Sequence, residues 1–384
     1  MKTAVFGASG FVGTQLVENL WAKGRECVPV IHSAGSAWRL ARHGRPLSVA
    51  DILSRNDVAR VMQGCTHVVN CTRGSDDVMI EGLKVLLAEA KAQGVKRFVH
   101  LSSVAVYGDP PPLESAEESA AARPERGSYG ELKLRQDRLV GKAHEKGLSC
   151  AVLCPPNISG LYSSFVTNVL EDIRNASLRL IDRGARPINV VDVENLCHAI
   201  ELACDAEKTD GRRIFVTDGE GVTWRRFVDE LWPLAEQTAP LPDMSEGDVK
   251  ISALPARASL WRAMKHLASS DVRAALRKDP LLERLDKAAR GAVAHLPGNM
   301  ELGLQHAIEG PRKIVKVVAD EKPASRYVAQ QLRHVTHSNK RARGVLNYEP
   351  LVSFEQSMAN FRRWFIETRA LFGPSWRLAR DLYN

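Results

Sequence analysis

The chain contains no uninterrupted apolar run approaching the roughly 18 residues that a membrane-spanning helix needs. Met1-Lys2 leads straight into a short strand and a glycine turn, without the basic start and long apolar core of a secretory leader. Neither export nor a membrane span is expected. The 7 cysteines (Cys27, Cys65, Cys71, Cys150, Cys154, Cys197 and Cys204) are odd in number, stop before residue 205 and show no Cys-x-x-Cys spacing. That excludes a disulfide framework and a thiolate metal site, and reads as reduced cytoplasmic thiols with no metal. Aromatic residues make up 6% of the chain and form no cluster of the kind that stacks single-stranded bases, so nucleic acid is not expected as a partner. Internal repeats and low-complexity stretches are absent. What is present is 384 residues of 44% hydrophobic content, enough for one large domain or two coupled ones.

The formal net charge is +8, and residues 251–343 hold 18 Lys and Arg against 8 Asp and Glu. Such a segment suits a phosphate-bearing substrate, nucleic acid or an anionic membrane surface, and equally a solvated face with no partner. Periodicity within 256–296 suggests two or three basic amphipathic helices, with Leu260, Trp261, Met264 and Leu267 on one face.

Residues 3–7 read as a buried strand and Phe11 to Leu20 as an amphipathic helix. Gly7-Ala-Ser9-Gly10-Phe11-Val12-Gly13 joins them, and glycines between a strand and a helix let backbone approach a pyrophosphate at the helix N-terminus. Further strands are expected at 27–31, 67–71, 97–102, 150–154 and 213–217, with helices at 81–93 and 130–146 between them. Alternation of this kind specifies an α/β fold with a doubly wound parallel sheet. After Asp218 the pattern turns mostly helical, and Ser353-Phe-Glu-Gln356 is a capping box opening a last long helix.

Chemistry enters with Ser103, Tyr129 and Lys133. On a helix, the spacing of four puts Lys133 one turn beyond Tyr129 on the same face. A phenol ordinarily titrates near 10, and a fixed cation beside it favours the phenolate needed for proton exchange at neutral pH. Ser103 can donate a hydrogen bond to the same substrate oxygen. Between Ser103 and Tyr129, Pro110-Pro111-Pro112 and the run to Arg126 form a loop expected to overhang the site. No acid ends the second strand, at Val30-Ile31-His32-Ser33, and Arg39 and Arg42 follow, a pattern suiting NADP over NAD because an arginine accommodates the 2′-phosphate. Asp51 stands where an acid can reach the adenine amino group, or where a helix N-cap would stand.

These stretches, with 94–108, Leu153-Cys-Pro-Pro-Asn-Ile-Ser-Gly160, Asn189–Val193 and 342–350, resemble the extended short-chain dehydrogenase/reductase superfamily, which holds nucleotide-sugar epimerases, dehydratases and reductases and 3β-hydroxysteroid-dehydrogenase-like enzymes. The resemblance implies that Ser103, Tyr129 and Lys133 are catalytic. It also implies that cofactor is held by Gly7, Ser9, Gly10, Phe11, Val12, Gly13, Arg39, Arg42, Asp51, Ile52, Cys71, Thr72, Tyr129, Lys133, Pro155 and Ile158. Substrate contacts would come from Arg73, Tyr107 and Asn157. A Rossmann domain is expected from 1–157 and about 186–218, and a substrate region from about 158–185 and 219–384 with a basic helical insertion at about 251–343.

Departures narrow the chemistry. Val104 and Ala105 stand where the family's dehydratases carry an acidic pair, which disfavours water elimination, and Cys154 replaces a frequent Arg. Three readings follow. The leading one is an oxidoreductase or epimerase acting on a nucleotide sugar, with Asn157, Arg73 and the basic segment on the diphosphate. The second is a reductase or dehydrogenase of a sterol-like or polyketide ketone, with 256–296 touching a membrane surface. The third is a cofactor-binding regulator or RNA scaffold, against which the Ser103, Tyr129 and Lys133 set argues. A homodimer is plausible by resemblance.

Overall fold

The computed structural model describes residues 1–238, 240–253, 313–317 and 326–372. Strand and helix alternate through the first half: β1 (Lys2–Phe6), α1 (Phe11–Ala22), β2 (Glu26–Ile31), α2 (Trp38–Ala41), β3 (Ser48–Val49), α3 (Arg55–Met62), β4 (His67–Asn70), α4 (Asp76–Ala92), β5 (Arg97–Leu101), α5 (Tyr129–Glu145) and β6 (Cys150–Cys154). β7 (Asn157–Ser159), α6 (Ser164–Arg174), β8 (Leu180–Ile181), β9 (Val190–Asp192), α7 (Val193–Asp205), β10 (Arg213–Phe215) and α8 (Trp224–Ala235) follow. Seven strands form one sheet in the order β10-β6-β5-β4-β1-β2-β3, every pair parallel. This is the doubly wound arrangement expected from the alternation, and the order reverses between β1 and β4.

Strands buried on both faces need apolar side chains at nearly every position, and β6 (Cys-Ala-Val-Leu-Cys) is buried throughout. Its Ala151 and Leu153 join Val5, Val69 and Val99 in the core on one face, where α1 and α7 pack. Cys150, Val152 and Cys154 join Ala4, Val68 and Phe98 on the other, beneath α3, α4 and α5. The alternation of side-chain direction along each strand divides the sheet between the two cores.

A third core lies off the sheet and draws on Val166–Ile188, Val222–Ala235, Tyr327 and Phe354–Phe365. Its last contributor is the long terminal helix, which follows α9 (Arg326–Gln331) and α10 (Lys340–Leu346); we call it α11 (Phe354–Phe372). The capping box that opens α11 forms as expected: Ser353 N donates to Gln356 Oε1 at 3.2 Å, and Gln356 N donates to Ser353 Oγ at 3.3 Å. The aromatic face of α11 is core, with Phe354, Met358, Phe361 and Phe365 all buried.

Within the basic region, Val249–Ala253 pairs antiparallel with Lys313–Val317. The helices expected at 256–296, and the apolar face of Leu260, Trp261, Met264 and Leu267, lie outside the described residues. No helix among the described residues is long and apolar enough to cross a membrane.

Candidate active site

β1 delivers the chain to Gly7, whose φ of +78° is a conformation that side chains with a Cβ rarely adopt. A Cβ there would also lie 2.8 Å from the Cys71 carbonyl carbon, so the turn presses against the chain leaving β4. Gly13 is tighter still: a Cβ would stand 2.1 Å from the Gly7 carbonyl oxygen. Gly10 N donates to Gly7 O at 3.0 Å and Thr14 Oγ1 to Ala8 O at 3.0 Å, closing the turn onto the first turn of α1.

The helices α3 to α8 each begin with a side chain accepting from their own backbone, at Ser54, Ser75, Ser128, Ser163, Asp192 and Thr223. α1 begins at Gly10 with no side-chain cap and no acid in its first turn. Its N–H groups are left for a ligand, and a pyrophosphate fits them in charge and in the space that the glycines leave. Ser9, Phe11 and Val12 are half-buried along this cradle.

His32 and Ser33 are exposed at the strand end. Arg42, however, is ion-paired with Glu18 of α1 at 2.7 Å, and Arg39 is buried with its guanidinium 5.3 Å from the Trp38 ring and 5.7 Å from that of Tyr162. Asp51 is not a helix N-cap. Its Oδ1 accepts from Leu53 N at 2.9 Å, and Ser54 caps α3 instead, because a side chain reaches only the first turn beyond it. Ile52 is buried against Gly82, where a Cβ would come within 2.8 Å of its Cγ2 atom.

Beyond β5, Ser103 opens a short turn over Val104–Tyr107, and its Oγ accepts from Ala105 N at 3.2 Å, which leaves its own proton free to donate. Val104 N donates to Pro155 O at 3.2 Å, which fastens this turn to the buried Pro155 and the half-buried Ile158 beyond β6. α5 begins at Tyr129 with Ser128 as its cap. A Cβ on Gly130 would lie 2.1 Å from the Ala105 carbonyl oxygen, so only glycine lets α5 start against the Ser103 turn. The turn and the helix are thereby brought together.

Tyr129 is 36% exposed, and its hydroxyl has no hydrogen-bond partner among the described residues. Lys133 is 4% exposed, lies 5.8 Å from the Tyr129 ring centre and donates to Leu101 O at 2.7 Å. An ammonium has three donors, so two remain for other acceptors. Beside it, the buried His100 accepts at Nδ1 from Asn70 Nδ2 at 3.2 Å, and Asn70 Oδ1 holds Thr72 by its N–H and its hydroxyl at 3.1 and 2.6 Å. Burial first, and the Lys133 charge second, push the His100 pKa well below that of a free imidazole, so the ring is neutral. Burial likewise raises the Cys71 thiol to about 12, against the pull of Lys133, so it carries no charge at neutral pH.

Tyr107 does not line the site. It is fully buried against Phe215, with ring centres 5.3 Å apart, and its hydroxyl donates to Glu118 O at 2.9 Å, because the short turn after Ser103 rotates it into the core. Asn157 and Arg73 have different neighbours. The Asn157 amide donates to Asn189 O and Gln330 Oε1, both at 3.3 Å, whereas Arg73 lies with its guanidinium 5.3 Å from the Tyr129 ring centre. The loop between Ser103 and Tyr129 is tied down: Phe215 N donates to Glu118 Oε1 at 2.7 Å, Ser338 N to Ala116 O at 2.9 Å, and Arg333 grips Asp109 through two bonds of 2.9 Å.

Sequence reasoning missed Asn70, His100 and the close approach of Gly130. A polar residue closing the apolar β4 and a glycine beside Tyr129 were the available signals. Among the described residues no cluster of ligating side chains suits a metal ion.

Residues 3–216 match the model of the NAD dependent epimerase/dehydratase family. A 4-hydroxy-2-methyl-3-oxo-4-farnesyl-3,4-dihydroquinoline-1-oxide ketoreductase of Stigmatella aurantiaca is 29% identical over 69% of this chain and 82% of its own. A UDP-glucose 4-epimerase of Vibrio cholerae is 26% identical over 59% of this chain and 73% of its own. The crystal structure of the UDP-glucose 4-epimerase of Thermotoga maritima with UDP-glucose superposes with a TM-score of 0.65, at 18% identity, over 96% of this chain and 99% of that one. The last likeness is one of fold.

Proposed function

The chain belongs to the NAD dependent epimerase/dehydratase family, and within it we propose an NAD(P)-dependent oxidoreductase that exchanges hydride and proton at a carbinol or ketone carbon. One observation carries the reading: an uncommitted Tyr129 hydroxyl stands at the start of α5 with the buried, anchored ammonium of Lys133 beneath its ring. When bound, the nicotinamide dinucleotide supplies or accepts the hydride.

The protein's own part is proton transfer and orientation. Tyr129 gives its hydroxyl proton to the oxygen of a ketone, or takes the proton of a carbinol, and the Lys133 charge stabilises the phenolate form between these events. Ser103 donates its free proton to the same oxygen and fixes its position. Lys133 has two donors left for the hydroxyls of the nicotinamide ribose. The cradle from Gly7 to Gly13 holds the pyrophosphate. Preference for NADP rests on the missing acid after Ile31, since Glu18 engages Arg42 and Arg39 is buried against Trp38 and Tyr162. Val104 and Ala105 give water elimination no acid or base of their own, so dehydration is disfavoured.

For substrate class, we favour a ring ketone or secondary alcohol over a nucleotide sugar. Of the side chains nominated for a diphosphate, the Asn157 amide nitrogen is already committed to Asn189 and Gln330. The ketoreductase likeness, over most of that relative's length, supports the same choice. Epimerisation of a nucleotide sugar is the second reading, supported by likeness to the Vibrio cholerae enzyme.

The purified 384-residue chain should oxidise NADPH or NADH in the presence of cyclic ketones, and Tyr129→Phe should lower kcat by about a thousandfold, within the range of general acid catalysis. Full turnover by that variant would sink the mechanism. Tightly retained NAD with interconversion of UDP-sugars and no ketone reduction would favour the second reading.

A further inference from the structure

Lys133 and Asp137 lie four residues apart on α5, and both are buried, at 4% and 8% exposure. At that spacing a lysine and an aspartate share one helix face and are within reach of each other. Here they do not pair. The ammonium donates to Leu101 O at 2.7 Å, and the carboxylate accepts from Arg213 Nε at 2.6 Å. Burial raises the Asp137 carboxyl, and the charges of Arg213 and, less strongly, Lys133 pull it back.

Arg213 enters from β10, the edge strand beside β6, where it stands level with Val152 and Phe215 stands level with Cys154. Its guanidinium carbon also lies 5.5 Å from the ring centre of Tyr107, in the turn that Ser103 opens. One side chain therefore touches both the helix that carries Tyr129 and the turn that follows Ser103. Most groups around the pair carry no charge at neutral pH: burial raises the Cys154 thiol and the Tyr107 phenol, Ser102 offers Asp137 only a hydroxyl, and His100 and Cys71 beside Lys133 are neutral. The outlying charges have partners of their own. Glu118 accepts from Phe215 N at 2.7 Å, and Arg341, which donates to the Arg213 carbonyl, pairs with Asp210 at 2.6 Å. Arg73 stands at the Tyr129 ring. In the seam between β5 and α5, the charges that face one another are Lys133, Asp137 and Arg213.

A buried carboxylate that loses its guanidinium is driven to the next cation, because desolvation leaves it nothing better. For Asp137 that cation is Lys133, one turn back. Such a pair would take from Tyr129 the charge that favours its phenolate.

We propose that Arg213 is a positioning residue: by holding Asp137 toward β10 it keeps the carboxylate off Lys133, so that the ammonium stays with Tyr129. This rests on the proton-exchange reading above.

Two readouts test it on the 384-residue chain. Ultraviolet difference titration follows the Tyr129 phenol, identified by its loss in Tyr129→Phe, and needs no substrate. The pH profile of kcat/KM for oxidation of a cyclic alcohol, with NADP or NAD supplied, reports the same group in turnover. In Arg213→Gln the phenol and the acid limb of the profile should both move up by about one unit, a tenfold loss of phenolate. Adding Asp137→Asn to Arg213→Gln should return both to the wild-type position, because the competing carboxylate is gone, whereas simple loss of packing would add to the damage. Arg213→Lys, which keeps the cation, should recover most of the shift. Asp137→Asn alone, nearly isosteric, leaves the guanidinium unbalanced and should move the phenol down, so it decides the matter if Arg213→Gln does not fold. A phenol that stays in place in Arg213→Gln, as it would if Asp137 took up a proton instead, overturns the proposal. So does a shift that persists in the double variant, or an unmoved phenol in Asp137→Asn when that variant is the one that folds; each leaves the proton-exchange reading standing. Full turnover by Tyr129→Phe overturns that reading itself, whatever the phenol does.

Discussion

Two close backbone approaches build the two halves of the proposed site, and they differ in reach. At the cofactor end, Gly13 meets the carbonyl of Gly7 within one strand-turn-helix unit, and a Cβ there would be 2.1 Å from that oxygen. At the proton-transfer end, Gly130 meets the carbonyl of Ala105 at the same 2.1 Å, but a whole loop separates the partners in the chain. The first contact shapes a turn by local geometry. The second docks one element on another, and it is what brings Tyr129 to the Ser103 turn. Both need glycine for lack of space, but only the local one is spelled out by spacing.

The comparison can be broken from either side. Gly130→Ala should have the largest effect, because α5 must move away from Ala105 and carry Tyr129 with it. A displacement of about an ångström at a reacting group costs on the order of a hundredfold in rate. Steady-state kinetics should show that loss in kcat while cofactor affinity, measured by fluorescence titration, changes less than about threefold.

Gly13→Ala should do the reverse. Overpacking against fixed backbone costs roughly 1–3 kcal/mol, so cofactor affinity should weaken by about tenfold, with a lower Tm and a smaller change in kcat at saturating cofactor. If both variants lowered kcat and affinity in equal proportion, the two contacts would be one cooperative unit and not two halves.

The smallest effect concerns Asp218, which accepts from Asp192 N at 3.0 Å and Asn195 Nδ2 at 2.7 Å where the third core joins the sheet. Burial raises its pKa from 3.8 to about 7, and the neighbouring Asp192 is raised as well. The folded protein therefore holds these protons more tightly than the unfolded chain, so this junction gains stability as pH falls from about 7 toward 4 and loses it as pH rises through 7. His337, held neutral by burial with a pKa of about 4, acts in the opposite direction, so the wild-type curve is a sum. Asp218→Asn isolates one contribution: the Tm of the variant relative to wild type should be a few degrees more favourable at pH 8 than at pH 5. A difference independent of pH would place the proton elsewhere.

Much of the fold was legible because buried parallel strands and amphipathic helices carry strong local patterns. β6 falls at Cys150–Cys154 as read, β1 is shifted by one residue, and β2, β4 and β5 differ from expectation by a residue at one end. The short β3, β7 and β9 escaped notice, since two or three residues make no periodicity. Around the site, Ser103, Tyr129 and Lys133 were visible as spacing, and the structure adds the Leu101 carbonyl that holds Lys133. The partners of Tyr107 and Asn157 were not legible for one reason: a motif places a residue in the chain but does not say which way its side chain turns. Glu118 lies 11 residues beyond Tyr107, and Asn189 and Gln330 lie 32 and 173 residues beyond Asn157.

The sequence by itself determined the class of chemistry, because a glycine turn after a first strand and a Tyr-Lys pair one helical turn apart depend only on local covalent geometry. Tertiary structure decided which groups are committed and which are available. It fastened Arg42 to Glu18 and left Arg73 beside Tyr129 without a counter-ion, since charge pairing depends on distance through space and not on separation along the chain.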